Sequence, residues 1–123
     1  MSADKEAVLD FLRSSVSATI PKTLNAQYGG IAVYMRAGVY HYDPDEGTRL
    51  PAIGVVNVQV DEDNEEGTGC FRDFITELEA RGAEYGYRFI RMEQVQSQHL
   101  QLMLEKHAYI KTIAFDDVLV KEL

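Results

Sequence analysis

Gly67, Thr68 and Gly69 stand between a β-rich apolar run, Leu50 to Val60, and a segment with helical periodicity. In that segment Phe71, Phe74, Ile75 and Leu78 recur at i, i+3, i+4 and i+7. A glycine turn between strand and helix presents unpaired backbone N–H groups at the positive end of the helix dipole. Such groups suit a phosphate or pyrophosphate. Gly-x-Gly alone is a weak motif, and the same residues serve plain chain reversal. Asp61-x-Asp63-x-Glu65 has the opening spacing of a calcium loop. Glu66 and Arg72, however, stand where such a loop needs a glycine and an acid, so a solvated acidic turn is the better reading. Cys70 sits at the helix start, where a thiolate gains stabilisation. No base faces it on these assignments, which favours a packed or surface thiol. His99 and His107 lie about two helical turns apart, too far to share an ion, and His41 has no partner. No metal site is expected.

The elements that must position these residues follow from pattern. Asp4 to Ile20 reads as a helix with Val8, Phe11, Leu12 and Val16 on one face, ended by Pro21. Lys22 to Gly30 reads as a polar connection, turning at Gly29-Gly30. Ile31 to Tyr42 is β-branched and aromatic, a strand, with Ala37-Gly38 either a hairpin turn or a bulge. Tyr34, Tyr40 and Tyr42 either line a cleft beside the sheet or pack on it. Asp43 to Gly47 is a turn, making Leu50 to Val60 antiparallel to the strand before it. The central helix runs from Cys70 to Arg81, with Gly82 as its stop. Tyr87 to Val95 is the next strand, reached by a right-handed parallel crossover. Ser97 suits the N-cap of a following helix lined by Leu100, Met103, Leu104 and His107. Tyr109 to Phe115 and Val118 to Val120 are strand-like, with Asp116-Asp117 as the turn between them.

Composition sets the bounds. A chain of 123 residues with 46% apolar content suffices for one domain, residues 1–123, with one modest core. No apolar run approaches a membrane span, and the N-terminus lacks the apolar stretch of a signal peptide, so no membrane and a cytoplasmic location are expected. The single cysteine excludes an internal disulfide. A formal charge of −8 argues against nonspecific nucleic-acid binding and is compatible with a basic partner.

Three stretches carry a resemblance to the GNAT acetyltransferase superfamily. Val58 to Phe71 (VQVDEDNEEGTGCF) is similar to the family's acetyl-CoA strand and pyrophosphate loop. Ile90 to Val95 is similar to its splayed strand. Leu104-Glu-Lys-His-Ala-Tyr109 resembles the family's Tyr-Glu-Lys-x-Gly-Phe helix ending. The resemblance covers about Ile31 to Leu123. It implies an α+β fold, a mixed twisted sheet with helices on both faces. It further implies acetyl-CoA as cosubstrate and transfer of its acyl group to an amine on a small molecule or a protein. The cofactor-binding residues so implied are Val58, Val60, Gly67, Thr68, Gly69, Cys70, Arg72 and Ser97. Glu93 is the implied base, directly or through water, and Tyr109 the implied acid. A sheet carboxylate paired with Arg91 or Arg88 is the alternative reading of Glu93.

The departures from the family pattern shape a second expectation. Asn64 stands where the family loop has Gln or Arg, followed by Glu65 and Glu66, which would repel a pyrophosphate. Leu104 stands where the family often has a catalytic tyrosine, and Ser97 where it often has asparagine. The alternative function is therefore a catalytically degenerate GNAT-like protein that binds a protein partner.

Overall fold

The computed structural model describes residues 2–28, 31–41, 49–60, 66–95, 98–111 and 118–123. The elements are α1 (Ser2–Ser15), β1 (Lys22–Tyr28), β2 (Ile31–His41), β3 (Arg49–Val60), α2 (Glu66–Tyr85), β4 (Phe89–Met92), α3 (Gln98–Lys106), β5 (Ile110–Lys111) and β6 (Leu119–Glu122). They form one six-stranded sheet in the order β1-β2-β3-β4-β6-β5. Only β3 and β4 pair in parallel; every other neighbouring pair is antiparallel. The fold is α+β with a mixed sheet. The turns expected at Gly29-Gly30, Asp43 to Gly47, Asp61 to Glu65 and Asp116-Asp117 lie outside the described residues, as does Ser97.

The segment from Lys22, expected to be a connection, is the edge strand β1. Its polar content hides a period of two. Leu24, Ala26 and Tyr28 pack on the core, while Thr23, Asn25 and Gln27 are exposed. Tyr28 meets Phe74 of α2 edge-on, ring centres 5.2 Å apart.

Strand β2 is continuous through Ala37 and Gly38, which excludes a hairpin there. Gly38 has φ +155°, and a Cβ on it would lie 2.8 Å from Ala18 O and 2.9 Å from Pro21 Cα. The chain leaving α1 therefore crosses β2 in contact with its backbone, fixed by Val39 N–H donating to Ala18 O at 2.8 Å. The bulge lies elsewhere. Tyr34 pairs with Asn57 but Met35 with Val55, so Val56 of β3 has no opposite number.

Helix α2 is longer than its apolar stripe. It begins at Glu66, so Gly67, Thr68 and Gly69 lie within its first turn rather than before it. Gly82 lies inside the helix, and the stop is Gly86, at φ +101°. There Tyr87 N–H donates to Gly82 O at 2.9 Å and Gly86 N–H to Ala83 O at 3.3 Å, the paired bonds of a Schellman motif. The end of α3 repeats the motif with a residue less suited to it. Tyr109 N–H donates to Leu104 O and Ala108 N–H to Glu105 O, with Ala108 at φ +71°.

The main core lies on one face of the sheet. Val8 and Leu12 of α1, Phe71, Phe74, Ile75 and Leu78 of α2 and Leu104 of α3 join alternate residues of β2, β3 and β4 there. Tyr87 donates its hydroxyl to Leu12 O at 2.6 Å. This satisfies one of the last four carbonyls of α1, which have no intrahelical partner. On the opposite face Leu50, Ala52, Phe89 and Val120 form a smaller cluster.

Candidate functional site

The parallel ladder between β3 and β4 runs only from Ala52–Phe89 to Val55–Met92. Glu93 N–H then donates to Val55 O at 2.8 Å. Strand β3 continues to Val60, and among the described residues no backbone hydrogen bond extends the ladder past Val55. The two chains part at the position of the extra residue Val56. Gln94, at φ +55°, turns the outgoing segment away. The opening is bridged at its base by Asn57 Nδ2 and Gln94 Oε1, 3.5 Å apart, and Gln101 Nε2 holds Val95 O at 2.6 Å. Buried backbone groups need partners, so the free edge of β3 from Val56 onward can receive an extended ligand. The opening lies at the carboxyl ends of two parallel strands, where open α/β sheets commonly bind ligands.

Val58 and Val60 lie on this free stretch. Gly67, Thr68 and Gly69 lie in the first turn of α2 and Cys70 just after it. A helix that begins at Glu66 leaves the Gly67 and Thr68 N–H groups without an intrahelical partner but not that of Cys70. Arg72 follows them and is exposed. These residues come from two consecutive elements, β3 and α2. Glu93 sits just past the end of β4 rather than within a strand. Its carboxylate is 3.7 Å from Arg91 Nε, and both side chains are largely covered. Residues two apart in extended chain share a face, and Arg91 pairs with Val120 of the smaller cluster. Glu93 therefore faces away from the main core.

Tyr109 does not converge with Glu93. It is 2% exposed and packs in the main core, with Lys121 Nζ 5.7 Å from its ring centre. Lys121 is bonded to Glu79 of α2 at 2.5 Å. Burial, reinforced by the negative Glu79, pushes the Tyr109 phenol well above its ordinary pKa. Its hydroxyl is buried without a hydrogen-bond partner among the described residues. Glu93 thus lies beside the opening, where its N–H meets Val55 O, and Tyr109 lies on the other face. Two features of the opening, the unpaired Val56 and the left-handed Gln94, have no local signature, because both depend on register between distant strands. Among the described residues no cluster of His, Cys, Asp and Glu is arranged to hold a metal, and no helix is long and apolar enough to cross a membrane.

No family model matches the chain, and no curated protein matches it in sequence. Solved structures match it in architecture. The KacTA–DNA complex aligns over 95% of this chain and 79% of its own, with a TM-score of 0.56 and 11% identity. An AtaT mutant toxin bound to the C-terminus of the antitoxin AtaR and acetyl-CoA aligns over 75% of this chain at TM-score 0.54 and 7% identity. AtaT complexed with acetyl-methionyl-tRNAfMet aligns over 75% of this chain and 61% of its own, at TM-score 0.53 and 5% identity. The chain spans 57% of the length of the first of these AtaT chains. Identities this low speak for the fold alone. That fold, a mixed sheet parting between a parallel strand pair ahead of a helix start, is GNAT-like.

Proposed function

We propose that this chain transfers an acetyl group from acetyl-CoA to an amine, with the thioester held in the opening between β3 and the segment after Met92. The observation that carries the reading is the opening itself. A strand edge stops pairing at a bulge, at the carboxyl end of a parallel pair, directly before a helix start. An AtaT neighbour of the same fold holds acetyl-CoA.

In this reading the main chain at Val58 and Val60 hydrogen-bonds the amides of the pantetheine arm. The N–H groups at Gly67 and Thr68, without an intrahelical partner at the start of α2, face the pyrophosphate, with Gly69 and Cys70 completing that end of the helix and Arg72 adding positive charge one turn on. Ser97, before α3, is the remaining contact assigned to the cosubstrate. A backbone N–H near Val56 polarises the thioester carbonyl. The neutral amine attacks the carbonyl carbon, the carbon–sulfur bond breaks, and the amine's proton passes to Glu93 or to a water beside it. Tyr109, buried on the other face, serves the core, and the leaving thiolate takes its proton from water.

Isothermal titration with acetyl-CoA tests binding, and no detectable heat at millimolar ligand would sink the proposal. Glu93→Gln should lower kcat by about a hundredfold while leaving acetyl-CoA affinity unchanged.

The second reading, a GNAT-like scaffold that works by binding a protein, is favoured by one observation. Glu93 is tied to Arg91 and Tyr109 lies across the sheet, so the two expected acid–base groups do not meet. Turnover of any acyl-CoA by the purified chain excludes it. As for partners, solved neighbours carry an antitoxin segment, DNA or tRNA. The fold therefore gives no ground for excluding nucleic acid. The charge of −8 supports an amine or a basic protein instead.

A further inference from the structure

On the face turned away from α1 and α2, strands β1, β2 and β3 carry an open groove of about 570 Å³. Its walls are carboxamides. Asn25 and Gln27 project from β1, Asn57 and Gln59 from β3, and Gln94 closes one end. The register aligns them in two rungs, Asn25–Tyr34–Asn57 and Gln27–Ala32–Gln59. Tyr34 and Ala32 of β2 form the floor. Among the described residues none that lines the groove is charged, in a chain that is 26% Asp, Glu, Lys and Arg. The exposed face of a sheet normally carries charges for solubility, so this neutrality calls for an occupant that is itself uncharged and rich in hydrogen bonds.

The spacing specifies that occupant. Residues i and i+2 of a strand are about 6.6 Å apart, so each wall repeats at the two-residue period of an extended peptide. Each carboxamide donates and accepts as a peptide group does. The two walls stand two strand spacings apart, about 9.5 Å. A main chain lying over β2 therefore has a carboxamide within reach on both sides. Ala32 leaves room for it on the floor. The Gln94 end, through the Asn57–Gln94 contact, opens at the place where β3 and β4 part.

We infer that this groove binds an extended, uncharged peptide main chain, with its free α-amine at the Gln94 end. The inference rests on the acyltransferase reading only in making that amine the acceptor. Binding of the chain along the groove stands on the carboxamide walls.

The test measures binding without cosubstrate. The probe is an eight-residue peptide with a free N-terminus, degenerate in uncharged residues and labelled with fluorescein at its C-terminus. Fluorescence anisotropy with the full chain should show saturable binding. Ala32→Trp fills the floor and should abolish it. Gln27→Ala with Gln59→Ala should weaken it by about tenfold or more, two hydrogen-bonding groups being lost. Circular dichroism melts confirm that each variant is folded. Acetyl-CoA titration of the same variants should match the wild type, which separates a failure of the groove from a failure of the acyltransferase reading. No peptide binding by the wild type overturns the inference, as does equal binding by wild type and folded Ala32→Trp. A labelled oligouridylate bound in place of the peptide and lost in Ala32→Trp would make the groove a nucleic-acid site, and overturns it too.

Discussion

Gly82 offers a quantitative check on how α2 is seated, and so on where its first turn lies against β3. The residue is inside a helix, where alanine is ordinarily better by about 1 kcal/mol. Here a Cβ would lie 2.9 Å from Ile53 Cδ1 and 3.0 Å from Leu123 Cδ1. Ile53 is fully buried in β3 and has no free space to retreat into. Overpacking of this kind costs about 1–3 kcal/mol. Gly82→Ala should therefore lose about 1 kcal/mol net, the clash outweighing the propensity. Ile53→Val removes the clashing methyl group and alone costs about 1 kcal/mol. In the double variant the new Cβ occupies the vacated space, so the helix gain is kept and the cavity is filled. The two changes should then be non-additive, the double variant more stable than the sum by about 1–2 kcal/mol. Urea unfolding of the four proteins followed by circular dichroism reads this directly. Additivity within about 0.5 kcal/mol, or a Gly82→Ala protein more stable than wild type, would refute the close seating of α2 on β3.

Three other changes have signs fixed by the structure. Ala108→Gly relieves a left-handed residue at the end of α3, a strain of about 1–2 kcal/mol against an unfolded-state penalty of about 0.5–1 kcal/mol. Thermal melting should show a rise of a few degrees, and a fall would contradict the Schellman ending. Tyr87→Phe leaves Leu12 O without its 2.6 Å donor in a buried setting and should cost about 1–2 kcal/mol in chemical denaturation. Tyr109→Phe removes a buried hydroxyl that meets no hydrogen-bond geometry among the described residues and lies near the negative Glu79, so stability at neutral pH should be unchanged or higher, and turnover should be retained. Its pH dependence has a definite sign. Burial raises the folded pKa of both Tyr87 and Tyr109, so the unfolded chain loses phenolic protons first. Stability from these groups is present below about pH 10 and declines above it. Tyr109→Phe should shallow that alkaline decline, and an unchanged slope between pH 10 and 12 would count against the burial.

Much of the scaffold was legible where one face of an element is apolar. The stripe of Phe71, Phe74, Ile75 and Leu78 marks α2, and Leu50 to Val60 marks β3, because burial imposes a period that local sequence records. Glycines were harder. Gly82 and Gly86 both follow the apolar stripe, and either suits a helix stop. Only the approach of Ile53 and Leu123 to Gly82, and the left-handed backbone of Gly86, assign their separate roles. Strand β1 was missed because its three inward residues are modest and its outward ones polar. That alternation is the pattern of a half-buried edge strand.

The functional surfaces were less legible than the fold for a physical reason. A bulge is a mismatch between two strands, so Val56 is ordinary until β2 and β3 are aligned. The carboxamides behave in the same way. Asn25, Gln27, Asn57 and Gln59 read as solvated positions of unrelated segments. Their common neutrality acquires meaning only when β2 brings both pairs alongside Tyr34 and Ala32. The same bulge connects the two surfaces. An extra residue in β3 bends that strand away from β4, which frees its edge, and sets Asn57 opposite Gln94 at the end of the groove. Deleting Val56 should therefore remove the bulge and close the opening while leaving Asn57 opposite Tyr34 and Gln59 opposite Ala32, so acetyl-CoA binding should be lost with the carboxamide rungs kept in register.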